Sequence, residues 1–180
     1  SNSRLDSLLN TYSVQSGKTI SHTLNLYYDF KIDSLGKKLG IAANYMSHTP
    51  DKEFNFTTLN EQTNNKYIVR EPNNIRYSIY TGEANLELPF KSFKLETGVK
   101  YSNVNNNSDM QYYNLIDNDY VADIKRCNVF KYNEQTLAGY VSAYKSINAH
   151  FSFQAGLRYE HTFVKGITPN NSSDNVRTNY

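Results

Sequence analysis

The residues able to do chemistry are few and scattered. The four histidines, His22, His48, His150 and His161, are far apart in the chain. None sits in an H-E-x-x-H pair or a Cys/His cluster, so a zinc site has no ligand set. His150 and His161 fall on opposite faces of one predicted strand and cannot share a metal. The single cysteine, Cys127, excludes an internal disulfide framework and any multi-cysteine metal site, and no partner motif marks it as a nucleophile. Asp117, Asp119 and Asp123 could gather around Ca²⁺, but the glycine and distal glutamate of an EF-hand loop are missing. There is no phosphate-cradling glycine loop and no G-x-S-x-G elbow. The expectation is a protein that is not an enzyme and holds no cofactor or metal. What remains is aromatic: Phe54, Phe56, Tyr67, Tyr112, Tyr113 and Tyr120 stand in two polar stretches. Such rigid, amphipathic rings could stack on sugars or pack on a partner. The plainer reading is that the loops carrying them pack on one another.

The elements that position these residues repeat. Leu39–Tyr45, Leu95–Tyr101 and Phe153–Tyr159 align without a gap, their starts 56 and 58 residues apart. In each, the first, third, fifth and seventh places are mostly apolar and end in Tyr. The fourth is Gly or Ala, and the sixth is Asn44, Lys100 or Arg158. Strict alternation reads as a strand with one apolar face, and a near-constant period reads as one supersecondary unit used three times. Strands are expected at about 19–32, 38–48, 73–88, 93–103, 128–144 and 149–162. The third has an awkward phase: Ile75, Tyr77 and Ile79 oppose Tyr80, Ala84, Leu86 and Leu88, and a bulge near Thr81-Gly82 would reconcile them. Short turns follow the first, third and fifth strands. Long polar connections, 49–72 and 104–127, join the hairpins at the other end, and 163–180 reads as a further external loop. Residues 1–18 read as a leading loop, with Ser1-Asn2 resembling the scar of a cleaved tag on an excised fragment.

The expected fold is therefore all-β: an antiparallel up-and-down meander of about six strands in three hairpins, a partial transmembrane-type β-barrel over 19–162. Short turns on one side and long loops on the other mark such barrels. The face carrying Leu39, Ile41, Tyr45, Leu95, Val99, Tyr101, Phe153, Leu157 and Tyr159 would meet lipid, where one charge at the midplane costs about 2–4 kcal/mol. Asn44, Lys100 and Arg158 would face a wet lumen. No apolar run is long enough for a transmembrane helix, no signal-peptide pattern is visible, and the net charge of +2 gives no strong pull toward nucleic acid. Alternation alone also fits a soluble β-sandwich or solenoid.

The order and spacing of several motifs carry a resemblance. Phe130-x-Tyr132-x-Glu134, Leu137-Ala138-Gly139-Tyr140 and Ala155-Gly156-Leu157-Arg158-Tyr159-Glu160, with Leu24–Phe30 and Leu95–Tyr101 before them, resemble the outer-membrane β-barrel family of Bacteroidetes TonB-dependent receptors. The resemblance covers roughly 19–162. It implies an outer-membrane location in a Gram-negative bacterium, a plug domain and the TonB system as partners in the full protein, and import of a bulky ligand. No TonB box or plug is visible in these residues. The alternative is a soluble all-β surface binding or adhesion module recognising glycan or protein through its long loops. An open six-stranded fragment would leave two bare edges and an apolar face, so the isolated piece is expected to self-associate.

Overall fold

A computed structural model describes residues 8–169 and 175–180. They form one antiparallel sheet: β1 (Leu9–Lys31), β2 (Lys38–Asn60), β3 (Asn65–Pro89), β4 (Lys94–Met110), β5 (Tyr113–Ile116), β6 (Asp119–Ala122), β7 (Asn128–Ser146), β8 (Ser152–Ile167) and β9 (Val176–Asn179). The order β1-β2-β3-β4-β7-β8-β9 is a meander, with the β5–β6 hairpin attached to β3. The class is the expected one. The sheet is open, with β1 along one edge.

Several boundaries differ from the sequence reading. Residues 9–18, read as a leading loop, are the start of β1, while Ser1-Asn2 lie outside the described residues. The stretch 49–72 is not a loop. It lengthens β2 and β3, which turn within four residues at 61–64, where Asn60 Oδ1 accepts from the Gln62 and Thr63 amides at 3.0 and 3.1 Å. The stretch 104–127 finishes β4 and folds back as β5–β6 through Asp117-Asn118, both with positive φ (49° and 74°). Two such residues in succession make the primed turn that suits a tight hairpin. The tail is not all loop: β8 runs to Ile167, and β9 pairs with it. Residues 170–174, including the Asn170–Ser173 run, lie outside the described residues.

Register settles the faces. Every long ladder keeps one register, from Asn73↔Met110 to Pro89↔Lys94 between β3 and β4, and from Lys38↔Glu87 to Asn60↔Asn65 between β2 and β3, where pairing lapses at Thr49-Pro50 and resumes in step. The bulge expected at Thr81-Gly82 is absent. Ile75, Tyr77 and Ile79 do lie on the opposite face from Tyr80, Ala84, Leu86 and Leu88. One face holds Leu24, Tyr45, Tyr80, Tyr101, Leu137 and Tyr159; the other holds Asn44, Lys100, Ala138 and Arg158. The buried residues Ala42, Pro50, Gly98, Ala138, Gly166 and Thr168 all lie on the second face. That is the crowding of a sheet curled toward it, so the second face is concave and the first convex.

Crowding also explains the small fourth place of each repeat. Tyr140 Oη donates to Asn85 Oδ1 at 2.9 Å by reaching across Gly98. A Cβ on Gly98 would stand 2.5 Å from the Tyr140 ring, 2.4 Å from Asn85 Oδ1 and 2.9 Å from the Ala84 carbonyl oxygen. Glycine is the residue that lets the ring lie flat there. The equivalent Ala42 is 8% exposed.

There is no ordinary core. Among the described residues, Ala42 and Ala138 are the buried hydrophobics. The chain exposes 13380 Å², whereas a globular protein of 20.7 kDa exposes about 8,900 Å². Leu157 and Tyr159 are 79% and 74% exposed on the convex face.

Candidate functional site

The three repeat tyrosines mark a line across the convex face. Tyr45 pairs with Tyr80, and Tyr80 with Asn103, so Tyr101 lies two residues off that row. Tyr101 pairs with Leu137, and Leu137 with His161, so Tyr159 is again two residues off. Two residues of stagger over two strand spacings correspond to a tilt of about 35°. Barrel strands crossing a membrane tilt by about 35–45°. A line joining the tyrosines is therefore level when the strands carry that tilt.

A second line runs parallel to it. The turn-closing pairs Ile32–Lys37, Phe90–Phe93 and Ile147–Phe151 are each held by a backbone hydrogen bond of 2.8–2.9 Å. Lys37, Phe93 and Phe151 each precede their tyrosine by eight residues. Eight residues span about 26 Å along a strand, or about 22 Å along the axis at that tilt, close to the roughly 25 Å apolar band of membrane barrels. Phe90 and Phe93 stack at 4.7 Å on this turn side, and Tyr45 and Tyr80 meet with tilted rings at 4.9 Å on the other. Between the lines the convex face bears one charge, Lys145, opposite Phe153 and a single row from its turn, where a long stem can carry its ammonium to water.

On the concave face the same zone is charged and paired. Lys94 Nζ lies 2.8 Å from Glu87 and 2.7 Å from Glu96, bridging two carboxylates that face each other across the ladder. Lys100 lies 3.8 Å from Glu83, and Arg158 2.8 Å from Glu160. Asn44 Nδ2 donates to Thr81 Oγ1 at 3.0 Å.

Beyond the tyrosine line the polarity inverts. The convex face becomes amide-rich: Asn133 Nδ2 donates to Asn103 Oδ1 (2.7 Å) and Asn105 Oδ1 (2.8 Å), and Gln135 Nε2 to Asn133 Oδ1 (3.1 Å). The concave face becomes apolar and aromatic, with the row Met46–Ile79–Val104 and, farther out, Ile75, Tyr77, Phe130 and Tyr132. This inversion is what made the phase of β3 awkward in sequence; no register change is involved. The His48 ring lies tilted beside Tyr77 at 6.4 Å, and Phe54 stacks beside Phe56 at 6.4 Å. A concave groove of about 430 Å³ is lined by Thr19, His48, Pro50, Lys52, Phe54, Asn73 and Ile75. Asn73 Oδ1 and, farther along the same wall, Asn106 Oδ1 are buried without a hydrogen-bond partner. Such oxygens normally find a donor.

The aromatic residues singled out from sequence divide between the faces. Phe54, Phe56 and Tyr67 are concave, and Tyr113 and Tyr120 convex. Arg70 lies 5.7 Å over the Tyr120 ring and 2.6 Å from Glu53. Hydrogen bonding from Arg70 holds the Glu53 carboxyl below the usual glutamate range, and Glu53 in turn raises Arg70. Arg126 packs 4.7 Å over Tyr112. Sequence reasoning missed His48, Pro50 and Asn73 as groove residues. The alternation Glu53-Phe54-Asn55-Phe56 was a readable strand signal inside the supposed loop.

The other candidates are accounted for. Cys127 is half-buried, its sulfur accepting from the Tyr112 amide at 3.3 Å. Asp123 accepts from the Lys125 amide at 3.2 Å and pairs with Arg126 at 3.6 Å, and among the described residues no three His, Cys, Asp or Glu side chains gather as a metal site. His150 lies in the β7–β8 turn, not on the strand that carries His161.

The comparisons with known proteins agree with this geometry. The sequence profile of the outer membrane protein β-barrel family matches residues 30–180. No match was found among curated proteins. The crystal structure of the ferric citrate transporter FecA in its unliganded form aligns over 94% of this chain with a TM-score of 0.56 and 18% identity. This chain spans 24% of that transporter's length, and the likeness speaks for the fold. The membrane pore complex of pneumolysin aligns over 90% of this chain and 31% of that one, at 12% identity and a TM-score of 0.16, and carries no argument. The chain belongs to the outer membrane protein β-barrel family, and its sheet is a stretch of barrel wall in the outer membrane.

Proposed function

We propose that this wall belongs to a TonB-dependent receptor of the kind found in Bacteroidetes, which binds a bulky ligand on its outer side and imports it without catalysis. The observation that carries the reading is the polarity inversion at the tyrosine line. A wall that only spanned lipid would need no apolar, aromatic surface on its concave side beyond the membrane. Here that surface carries a groove with an imidazole, an ammonium and a buried, unpartnered amide oxygen, a mixture of apolar lining and few polar groups that suits ligand binding. On this reading Leu39, Ile41, Tyr45, Leu95, Val99, Tyr101, Phe153, Leu157 and Tyr159 face lipid, and Asn44, Lys100 and Arg158 face the lumen. Phe54, Phe56, Tyr67 and Tyr112 are the ligand or plug contacts, while Tyr113 and Tyr120 brace the β5–β6 hairpin from outside. A plug domain and the TonB system complete the machine in the full protein. Family membership removes the ground for a soluble adhesion module.

The test is uptake of ferric chelates and oligosaccharides by cells carrying the full-length receptor. The reading expects a solute whose uptake needs both the receptor and TonB, and which loses binding when His48 and Phe54 become Ala at unchanged surface level. Passage of small solutes independent of TonB would overturn it.

A further inference from the structure

Just beyond the tyrosine line, the convex face carries four exposed cations: Arg76 on β3, Lys131 on β7, Lys165 on β8 and Arg177 on β9. Lys165 and Arg177 are directly opposite each other, and Lys131, opposite Ile167, is a diagonal neighbour of Lys165. Arg76 and Lys131 flank Asn107 in one row. Like charges placed directly opposite on a sheet destabilise it. None of the four forms an ion pair among the described residues. The nearest acids on this face are Asp109, diagonal to Arg76 and Lys131 with its Oδ1 accepting from Gln111 Nε2, and Asp51, diagonal to Arg76 from the β2 side; neither comes within ion-pair distance of the four cations. Five to seven residues separate the cations from the tyrosine line, so they share one height, about 13–19 Å beyond it.

Between them lies the amide network of Asn103, Asn105, Asn133 and Gln135. A cleft of about 410 Å³ opens here, lined by Arg76, Asn105, Asn107, Lys131, Asn133 and Lys165 among others. Amides supply donors and acceptors to sugar hydroxyls, and the cations supply charge to phosphate. The same face immediately below is the apolar band. A lipid with its chains against Val99, Leu137 and Tyr159 would carry its headgroup onto this patch.

We propose that this patch binds the phosphorylated saccharide headgroup of an outer-leaflet glycolipid, fixing the barrel's height and orientation in the membrane. The inference rests on the convex face meeting lipid. The experiment uses the full-length protein in phosphatidylcholine nanodiscs. A bis-phosphorylated glycolipid, its dephosphorylated form and inorganic phosphate are compared as ligands by native mass spectrometry. The phosphorylated glycolipid should be retained by the native protein. Replacing Arg76, Lys131, Lys165 and Arg177 with Gln should weaken retention on the order of a few hundred-fold, at about fivefold per basic residue near an anionic surface. Lys66→Gln, on the same face far beyond the patch, should change nothing. Equal retention by the quadruple variant or of the dephosphorylated lipid overturns the proposal, as does equally tight binding of phosphate alone. A nitroxide at Leu157, in a Cys127→Ser background, separates the two ideas. If it is reached by oxygen and not by a water-soluble relaxant while glycolipid binding fails, the headgroup site alone is wrong. If it is reached from water, the lipid-facing assignment is wrong as well.

Discussion

The same strands obey opposite rules on the two sides of the tyrosine line. On the turn side, apolar residues point outward and charges point in, several of them paired. On the far side, amides and cations point outward and the apolar and aromatic residues point in. Nothing in the backbone changes between the halves: β2, β3 and β4 run through without a bulge. The environment on each face differs instead. A lipid-facing surface excludes charge, whereas a strand beyond lipid meets water outside and turns its apolar side inward. Among the described residues Ala42 and Ala138 are the buried hydrophobics; the proposed reading gives the outward apolar band to a bilayer and the inward one beyond the line to the inside of a closed wall.

The largest effect expected from this contrast is the fate of the isolated chain. With a bare β1 edge and an exposed convex band, it should sediment as oligomers or require detergent, and bind an apolar dye. A sharp monomer without dye binding would remove the need for lipid. In the full-length protein folded into vesicles, Leu157→Arg should cost about 2–4 kcal/mol in urea unfolding. Asn10→Arg, exposed on the same face beyond the line and opposite Leu59, should be nearly neutral. Equal costs would erase the distinction between the halves. On the concave side, Gly98→Leu should destabilise by about 1–3 kcal/mol through overpacking against Tyr140. Tyr140→Ala should recover part of that loss; no recovery would mean that the Ala84 carbonyl, not the ring, sets the limit.

The smallest effect is electrostatic and confined to the far half. Glu53 is held below the ordinary glutamate range chiefly by its hydrogen bond from Arg70. A carboxylate with a depressed folded pKa stabilises above its unfolded value and loses that contribution as pH falls through the folded one. Amide exchange in β2 and β3 around Glu53 and Arg70 should therefore accelerate, after correction for intrinsic rates, as pH drops below the carboxylate range. The amides around Ala42 and Gly98 should not follow. Because the pair is only half-buried, salt should weaken the effect.

The three repeats were legible because their two faces contrast strongly: Leu39-Gly40-Ile41-Ala42 alternates between a more open convex face and a crowded concave wall. Beyond the tyrosine line the contrast falls. Residues 49–60 and 65–73 mix Thr, Asn and Glu with scattered aromatics, so neither face is uniformly apolar and they read as loop. The inverted phase of Ile75, Tyr77 and Ile79 read as a bulge because a single face was assumed to stay apolar throughout. The groove was out of reach for another reason. His48, Asn73 and Ile75 come together through the β2–β3 register, and that register depends on a turn at 61–64 in the middle of the supposed loop.

The central claim is most directly tested by a nitroxide scan of β8 from Ser152 to Val164 in the full-length protein in lipid vesicles, with Cys127 replaced by Ser. Oxygen accessibility should rise at Phe153, Ala155, Leu157 and Tyr159 and fall at Gln154, Gly156 and Arg158. Beyond His161 the outward positions should become open to a water-soluble relaxant. Water access at Leu157, oxygen-only access at Arg158, or an oxygen-only outward position at Phe163 would contradict the account.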